Sequence, residues 1–302
     1  MEVSTAANPP AAAAPARFGE VYDRGYAHYE GPRLGRRHAI WALIVYSVKR
    51  ALGIKKSWTA KVIPIILYVG VSLPVIVGIG IRAFLPSAKV LQYPTFFGLI
   101  FTIEGIFVAT VAPEMLCGDR RENVLPLYFS RAITRLDYLV AKLIATAILT
   151  LTISFVPALI LWLGFQLLEK YPLTAMWHHL GDLGHIAVAG TLIAFYLGAG
   201  GLTIASFTGR KSVAVAVTII LFLSSTVLAQ ALFHAVSSGI RRYFVFISTP
   251  QTVIGLVNGL FNTRSDPMVS AANFSVWIYI IAMSAVVLIG CAIMYWRYVP
   301  HD

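Results

Sequence analysis

The chain has 302 residues, of which 58% are hydrophobic and 12% charged, with a mean hydropathy of +0.76. A soluble domain carries about 25% charged residues, a globule of this length cannot hide so much apolar side chain, and disordered segments are poor in these residue types. Both soluble classes are excluded, and the composition is that of an integral membrane protein. The net charge of +11 would suggest nucleic acid in a soluble chain, but here the basic residues flank apolar runs and set topology instead, so no nucleic-acid partner is expected. Cys117 and Cys291 are the only cysteines, which leaves neither a disulfide framework nor a CxxC metal site.

Residues 1–17, with Pro9, Pro10 and an alanine run, have the composition of a flexible leader. No apolar h-region occurs in the first 38 residues, so a cleavable signal peptide is not expected. Residues 18–61 read as a cytoplasmic arm. Tyr22, Tyr26 and Tyr29 stand among charges, and Arg36 to Arg50 then has the pattern of an amphipathic helix. Its apolar stripe is Ile40, Trp41, Ile44, Val45 and Val48, with Arg36, Arg37, Lys49 and Arg50 at the ends. A basic helix with a Trp on its apolar side suits the headgroup plane of a membrane. Arg36, Arg37, Trp41, Lys49 and Arg50 are therefore the expected interfacial anchors to membrane lipid, the alternative being a helix docked on the protein's own loops.

Residues 62–302 hold six runs long enough to cross a hydrocarbon core, which needs about 20 helical residues: 62–85, 94–113, 138–168, 185–207, 212–236 and 274–295. The runs are continuous, without the alternation of a barrel strand, so the predicted fold class is all-α, with Pro157 placed to kink the third span. With the N-terminus inside, inner segments hold 18 of the 24 Lys and Arg residues, a positive-inside bias that puts both termini in the cytoplasm. The stretch 237–273 is too short and too broken by Pro250, Gly255 and Gly259 to span, and reads as short outer-leaflet helices before the last span.

The longest polar stretch between spans is 114–137, EMLCGDRRENVLPLYFSRAITRLD. Gly118 and Pro126 bracket a short helix that would present charge outward, while Thr134 to Asp137 is a capping signature for the start of the third span. This stretch resembles the first long cytoplasmic loop of the ABC-2 type permeases, the membrane subunits of one class of bacterial ABC transporters. The likeness lies in the Gly-Asp-Arg run, the Leu-Pro-Leu turn and the Ser-Arg-x-Ile-Thr-Arg element, with Ala132 standing where many relatives have Pro. The arm RGYAHYEGPRLGR, from Arg24 to Arg36, is similar to the start of one bacterial subgroup.

The resemblance implies a type V exporter-like fold in the bacterial inner membrane. It implies a dimer with a second copy or a paralogue, and docking of two ATPase subunits. Gly118, Asp119, Arg120, Arg121, Glu122 and Asn123 would form the coupling helix, with the four charged residues as the contacts. No GxxxxGK[ST], HExxH or GxSxG occurs in the chain. The chain is thus expected to be no enzyme and to bind no cofactor, with ATP and Mg held by the partner.

Two further sets of residues are candidates. Glu104 is a carboxylate well inside a span, where charge is expensive and often functional; the bland reading is a structural hydrogen-bonding partner. His178, Asp182 and His185 have the spacing of metal ligands on one helix face, a weak candidate beside glycines 181 and 184. Two alternatives to an ABC subunit are a proton-coupled secondary transporter using Glu104 and a membrane scaffold for a cytoplasmic complex.

Overall fold

The computed structural model describes residues 31, 34–54, 58–85, 91–130, 133–237, 239–264 and 266–298. The leader, the tyrosine-rich arm and Ala132 lie outside them. A compact unit begins at Gly35 and holds all the elements of the fold. Among the described residues there are helices and no strands: α1 (Gly35–Ala51), α2 (Thr59–Phe84), α3 (Tyr93–Arg121), α4 (Leu125–Phe129), α5 (Arg135–Leu167), α6 (Pro172–His178), α7 (Leu180–Ser206), α8 (Lys211–Ala235), a 3-10 helix (Gly239–Phe246), α9 (Thr249–Leu260), α10 (Pro267–Ala272) and α11 (Val276–Tyr298).

Six of these helices, α2, α3, α5, α7, α8 and α11, are long and apolar enough to cross a membrane. They alternate in direction, so Gly35 and Tyr298 lie at the same end of the bundle, the α1 end. The 3-10 helix and α9 meet at a bend of 98° and so form no straight crossing; the 12 residues of α9 reach only about 18 Å at the helical rise. Stretch 237–273 is thus a set of short helices at the opposite end, as its composition predicts.

Burial sorts the spans. Within the most apolar stretches of α3 and α7, 61% of residues are buried inside the protein, and half are in α5, against 17–22% in α2, α8 and α11. The first three form the core, and the others present Leu, Ile and Val outward, as a lipid-facing helix does. Small residues bring the core helices together. A Cβ on Gly201 of α7 would lie 2.6 Å from Val108 and 3.1 Å from Ala112 of α3, so only glycine fits that crossing.

Along the buried face of α5, Lys142, Thr146, Thr150 and Ser154 recur every four residues. The two threonines donate to the carbonyls one turn back, at 2.9 and 3.0 Å, so their hydroxyls need no partner from another helix.

Two boundaries differ from the sequence reading. Helix α3 runs eight residues past Pro113, because a proline costs least where packing on both sides holds the helix, and Pro113 is buried. Helix α7 starts at Leu180, its glycines 181 and 184 falling in the first turns, where intrahelical bonds are fewest. The third span continues as helix through Pro157.

The paired ends give a direct topological test. In a Cys291→Ser background, a cysteine at Leu173 of α6 should react with a membrane-impermeant maleimide on intact cells, and one at Asn123 should react only after lysis. Reaction of Asn123→Cys from outside would invert the map.

Candidate functional site at the α3–α5 connection

The polar segment 114–137 is built by three local signals. Helix α3 ends in a Schellman motif: Asn123 adopts the left-handed conformation at φ 50°, its N–H donates to the Arg120 carbonyl (3.2 Å), and the Val124 N–H donates to the Asp119 carbonyl (3.2 Å). Asparagine tolerates that conformation better than other side-chain-bearing residues. Helix α4 follows with Pro126 in its first turn. Then Thr134 and Asp137 close a reciprocal capping box, Thr134 Oγ1 accepting from the Asp137 N–H (3.2 Å) and Asp137 Oδ2 from the Thr134 N–H (3.0 Å). Arg36 of α1 adds a two-pronged pair to the same carboxylate, at 2.7 and 2.8 Å. The capping signature read from sequence is realised.

The expected coupling helix Gly118–Asn123 is therefore not a separate helix. It is the last turn of α3 with its left-handed cap, and its charges point in different directions. Asp119 is fully buried. Its carboxylate accepts from Arg50 (2.9 Å) and from the Tyr138 hydroxyl (2.8 Å), and Lys142 lies 2.8 Å away. Arg120 donates to the Ser206 carbonyl (2.6 Å) and stacks over Tyr298. Arg121, Glu122 and Asn123 are exposed, although Glu122 also accepts from Arg50 (2.8 Å).

Arg50 is the hub. It reaches Asp119 and Glu122, with Glu114 at 3.9 Å, and Glu114 in turn pairs with Lys211 of α8. Burial works against the charge on Arg50, but Asp119 and Glu122 outweigh it and hold its pKa above the ordinary value. Nearby, burial and then the charge of Asp119 push the Tyr128 phenol up to about 12. One guanidinium nitrogen of Arg50 points at Gly118, where any Cβ would collide with it, so this glycine leaves room for the side chain between α1 and α3. Lys142 completes the cluster by donating to Ser47 of α1 (3.0 Å).

This corrects the reading of Arg50 as a lipid anchor. It turns inward, toward the carboxylates of Glu114, Asp119 and Glu122 at the end of α3. Of the other anchors, Arg36 is engaged by Asp137, while Arg37, Trp41 and Lys49 are exposed. Helix α1 packs on α3 and α5 through Leu43, Ile44 and Ser47, a face displaced from the predicted stripe, and Trp41 stays 60% exposed. Trp41, Val45, Tyr46 and Lys49 line a groove of about 600 Å³ with Arg50 and Glu122.

Elsewhere, Glu104 of α3 is fully buried facing Ser154, at the end of the α5 polar row. The approach of the two falls short of hydrogen-bond geometry, so both carboxyl oxygens and the hydroxyl are buried without a formed bond among the described residues. The expected metal ligands are not brought together. Position 179 separates α6 from α7, so His178 leaves the face of Asp182 and His185. It is His179 that meets Asp182 (3.1 Å), and His185 packs edge-on to Phe261. Among the described residues no group of three His, Cys, Asp or Glu side chains is arranged for a metal.

Lys142 was the residue that sequence reasoning missed. It stands two turns into a helix whose start the Thr134 signature already marked, which makes it as exceptional as Glu104. Protein-family models give no match to the chain, and no curated protein matches it either.

Removing one member of a buried ion pair strands the others. Asp119→Asn should lower unfolding stability in detergent by about 3 kcal/mol or more, and adding Lys142→Met should restore a large part of it. Thermal melting of the single and double variants checks this; additive losses would show that the two residues do not act as a pair.

Proposed function

We propose that this chain is the membrane-spanning subunit of an ATP-driven transporter of the ABC-2 permease type, an exporter in the bacterial inner membrane with both termini in the cytoplasm. It forms the translocation path as a dimer with a second copy or a paralogue, and two separate ATPase subunits supply the hydrolysis, holding ATP and Mg. The observation that carries this reading is the construction of the α3–α5 connection. Its inward side is clamped by a buried ionic cluster that reaches α1, α5 and α8, and its outward side presents Arg121, Glu122, Asn123, Pro126 and Leu127. A projecting element transmits a partner's movement to the spans only if it cannot flex independently of them, and the clamp supplies that stiffness.

The docking residues are accordingly redrawn. Asp119 and Arg120 are consumed inside the chain, so contact falls to Arg121, Glu122 and Asn123, with Leu127, 58% exposed on α4, as the apolar anchor. One observation favours a second reading. The buried carboxyl of Glu104, with no formed hydrogen bond, is what a proton-coupled secondary transporter would use.

A photo-crosslinking amino acid at position 127 tests the first reading. In native membranes it should capture a protein with a Walker ATPase motif. Leu127→Glu should reduce co-purification of that protein about tenfold or more, since an interface anchor contributes about 2 kcal/mol. Purified chain that transports without any ATPase, driven by a proton gradient and blocked by Glu104→Gln, would replace the first reading with the second.

A further inference from the structure

At the end of the bundle opposite α1, helices α9, α10 and α11 enclose a pocket of about 260 Å³, remote from the α3–α5 connection. Its polar lining is Asn258, Asn262, Thr263, Arg264, Ser270, Asn273 and Tyr279. Among the described residues that makes one guanidinium, three amides, three hydroxyls and no carboxylate.

The site is held by its own structure. Asn262 (φ 51°) and Asn273 (φ 48°) take the left-handed conformation that ends α9 and α10, so both rims are fixed by helix caps. Across the floor, the Thr263 hydroxyl donates to Asn258 Oδ1 (3.0 Å) and the Thr263 N–H to the Asn258 carbonyl (2.9 Å). Tyr279 of α11 lies against Gly255 of α9, where any Cβ would collide with the phenol ring. The tyrosine is 1% exposed, and its hydroxyl has no hydrogen-bond partner among the described residues. Burying a hydroxyl without a partner is unfavourable, and a ligand in the pocket would supply the missing hydrogen bond.

Charge selects the ligand class. Arg264 is exposed, and among the described residues no carboxylate is paired with it, nor with Arg241 and Arg242 on the adjacent 3-10 helix. Arg242 stacks over Phe274, a ring that also lines the pocket. Among the described residues the nearby acid is Asp266, already engaged by the N–H groups of Met268 and Val269 (2.9 and 3.2 Å) and by the Gln251 amide (3.2 Å). One guanidinium in the lining, a second stacked on the Phe274 ring beside it, and a floor of amides and hydroxyls suit an anion with several acceptor oxygens.

We propose that this pocket binds a phosphate ester, with Arg264 supplying the charge and Tyr279 and the amides of Asn262 and Asn273 the further hydrogen bonds. Its place at the end of a membrane bundle makes a phospholipid headgroup one source of that group and a soluble phosphate the other.

The full chain in phosphatidylcholine nanodiscs tests the pocket. Phosphatidylglycerol doped into the discs, and separately glycerol 3-phosphate or inorganic phosphate added to the buffer, are the probes, read by mass spectrometry of retained lipid and by shift in melting temperature. Arg264→Gln and Tyr279→Phe, both of which keep the packing, should each weaken retention of the bound probe about tenfold, the loss of one hydrogen bond to a charged group. Lys170→Gln removes a cation from the same end of the bundle away from the pocket and should change nothing. Preferential retention of phosphatidylglycerol assigns the lipid source, and stabilisation by the soluble phosphates assigns the other. Equal retention by wild type and both pocket variants, or an equal loss in Lys170→Gln, would overturn the proposal.

Discussion

A single buried carboxylate, that of Asp119, organises the α1 end of this protein. Left alone in an apolar bundle an ionised carboxylate would be prohibitive. Here it is met by Arg50, Lys142 and the Tyr138 hydroxyl, each within 2.9 Å and each from a different part of the chain or a different turn of helix. The surrounding charges balance: Arg50, Lys142 and Lys211 face Glu114, Asp119 and Glu122. Such a cluster contributes little net stability compared with well-packed apolar residues. What it contributes is a unique arrangement, because any other seating of α1 or α5 leaves a charge stranded.

That constraint spreads outward. Ser47 fixes the rotation of α1 through Lys142, and Arg36 ties the start of the same helix to the cap of α5. At the far side of the cluster, Arg120 and Arg297 both donate to the Ser206 carbonyl, at 2.6 Å each, satisfying an acceptor that the end of α7 would otherwise leave open. Helix termini from separate parts of the chain are thus joined by side chains from their neighbours. The aromatic stack of Tyr128, Tyr138 and Tyr298 covers the joint, with ring centres about 6 Å apart.

The six spans were legible because hydrocarbon thickness leaves few options for a continuous apolar run, and the capping signature at Thr134 marked a helix start by chemistry local to four residues. The short helices after Val236 were legible by their length and their glycines. What sequence did not disclose was the direction of charge. Asp119 and Arg121 are two residues apart and look alike as members of a polar loop, yet one is fully enclosed and the other faces outward. That difference depends on Arg50, 69 residues away, and on the extension of α3 past Pro113. Glu104 was visible from hydropathy alone, because nothing nonlocal is needed to see a carboxylate among phenylalanines. The pocket between α9 and α11 draws its polar lining from one stretch, Asn258 to Tyr279, but its closure depends on Tyr279 of α11 folding back against Gly255 of α9.

The Arg50 cluster also bears on how the chain is made. Synthesis is vectorial, so Arg50 exists well before Asp119, and Asp119 before Lys142. Of the two cations that meet this carboxylate among the described residues, the first to be made is on α1, ahead of the six long apolar helices. When Asp119 is made, a cation able to meet it is thus already present in the chain, and its second partner follows with α5.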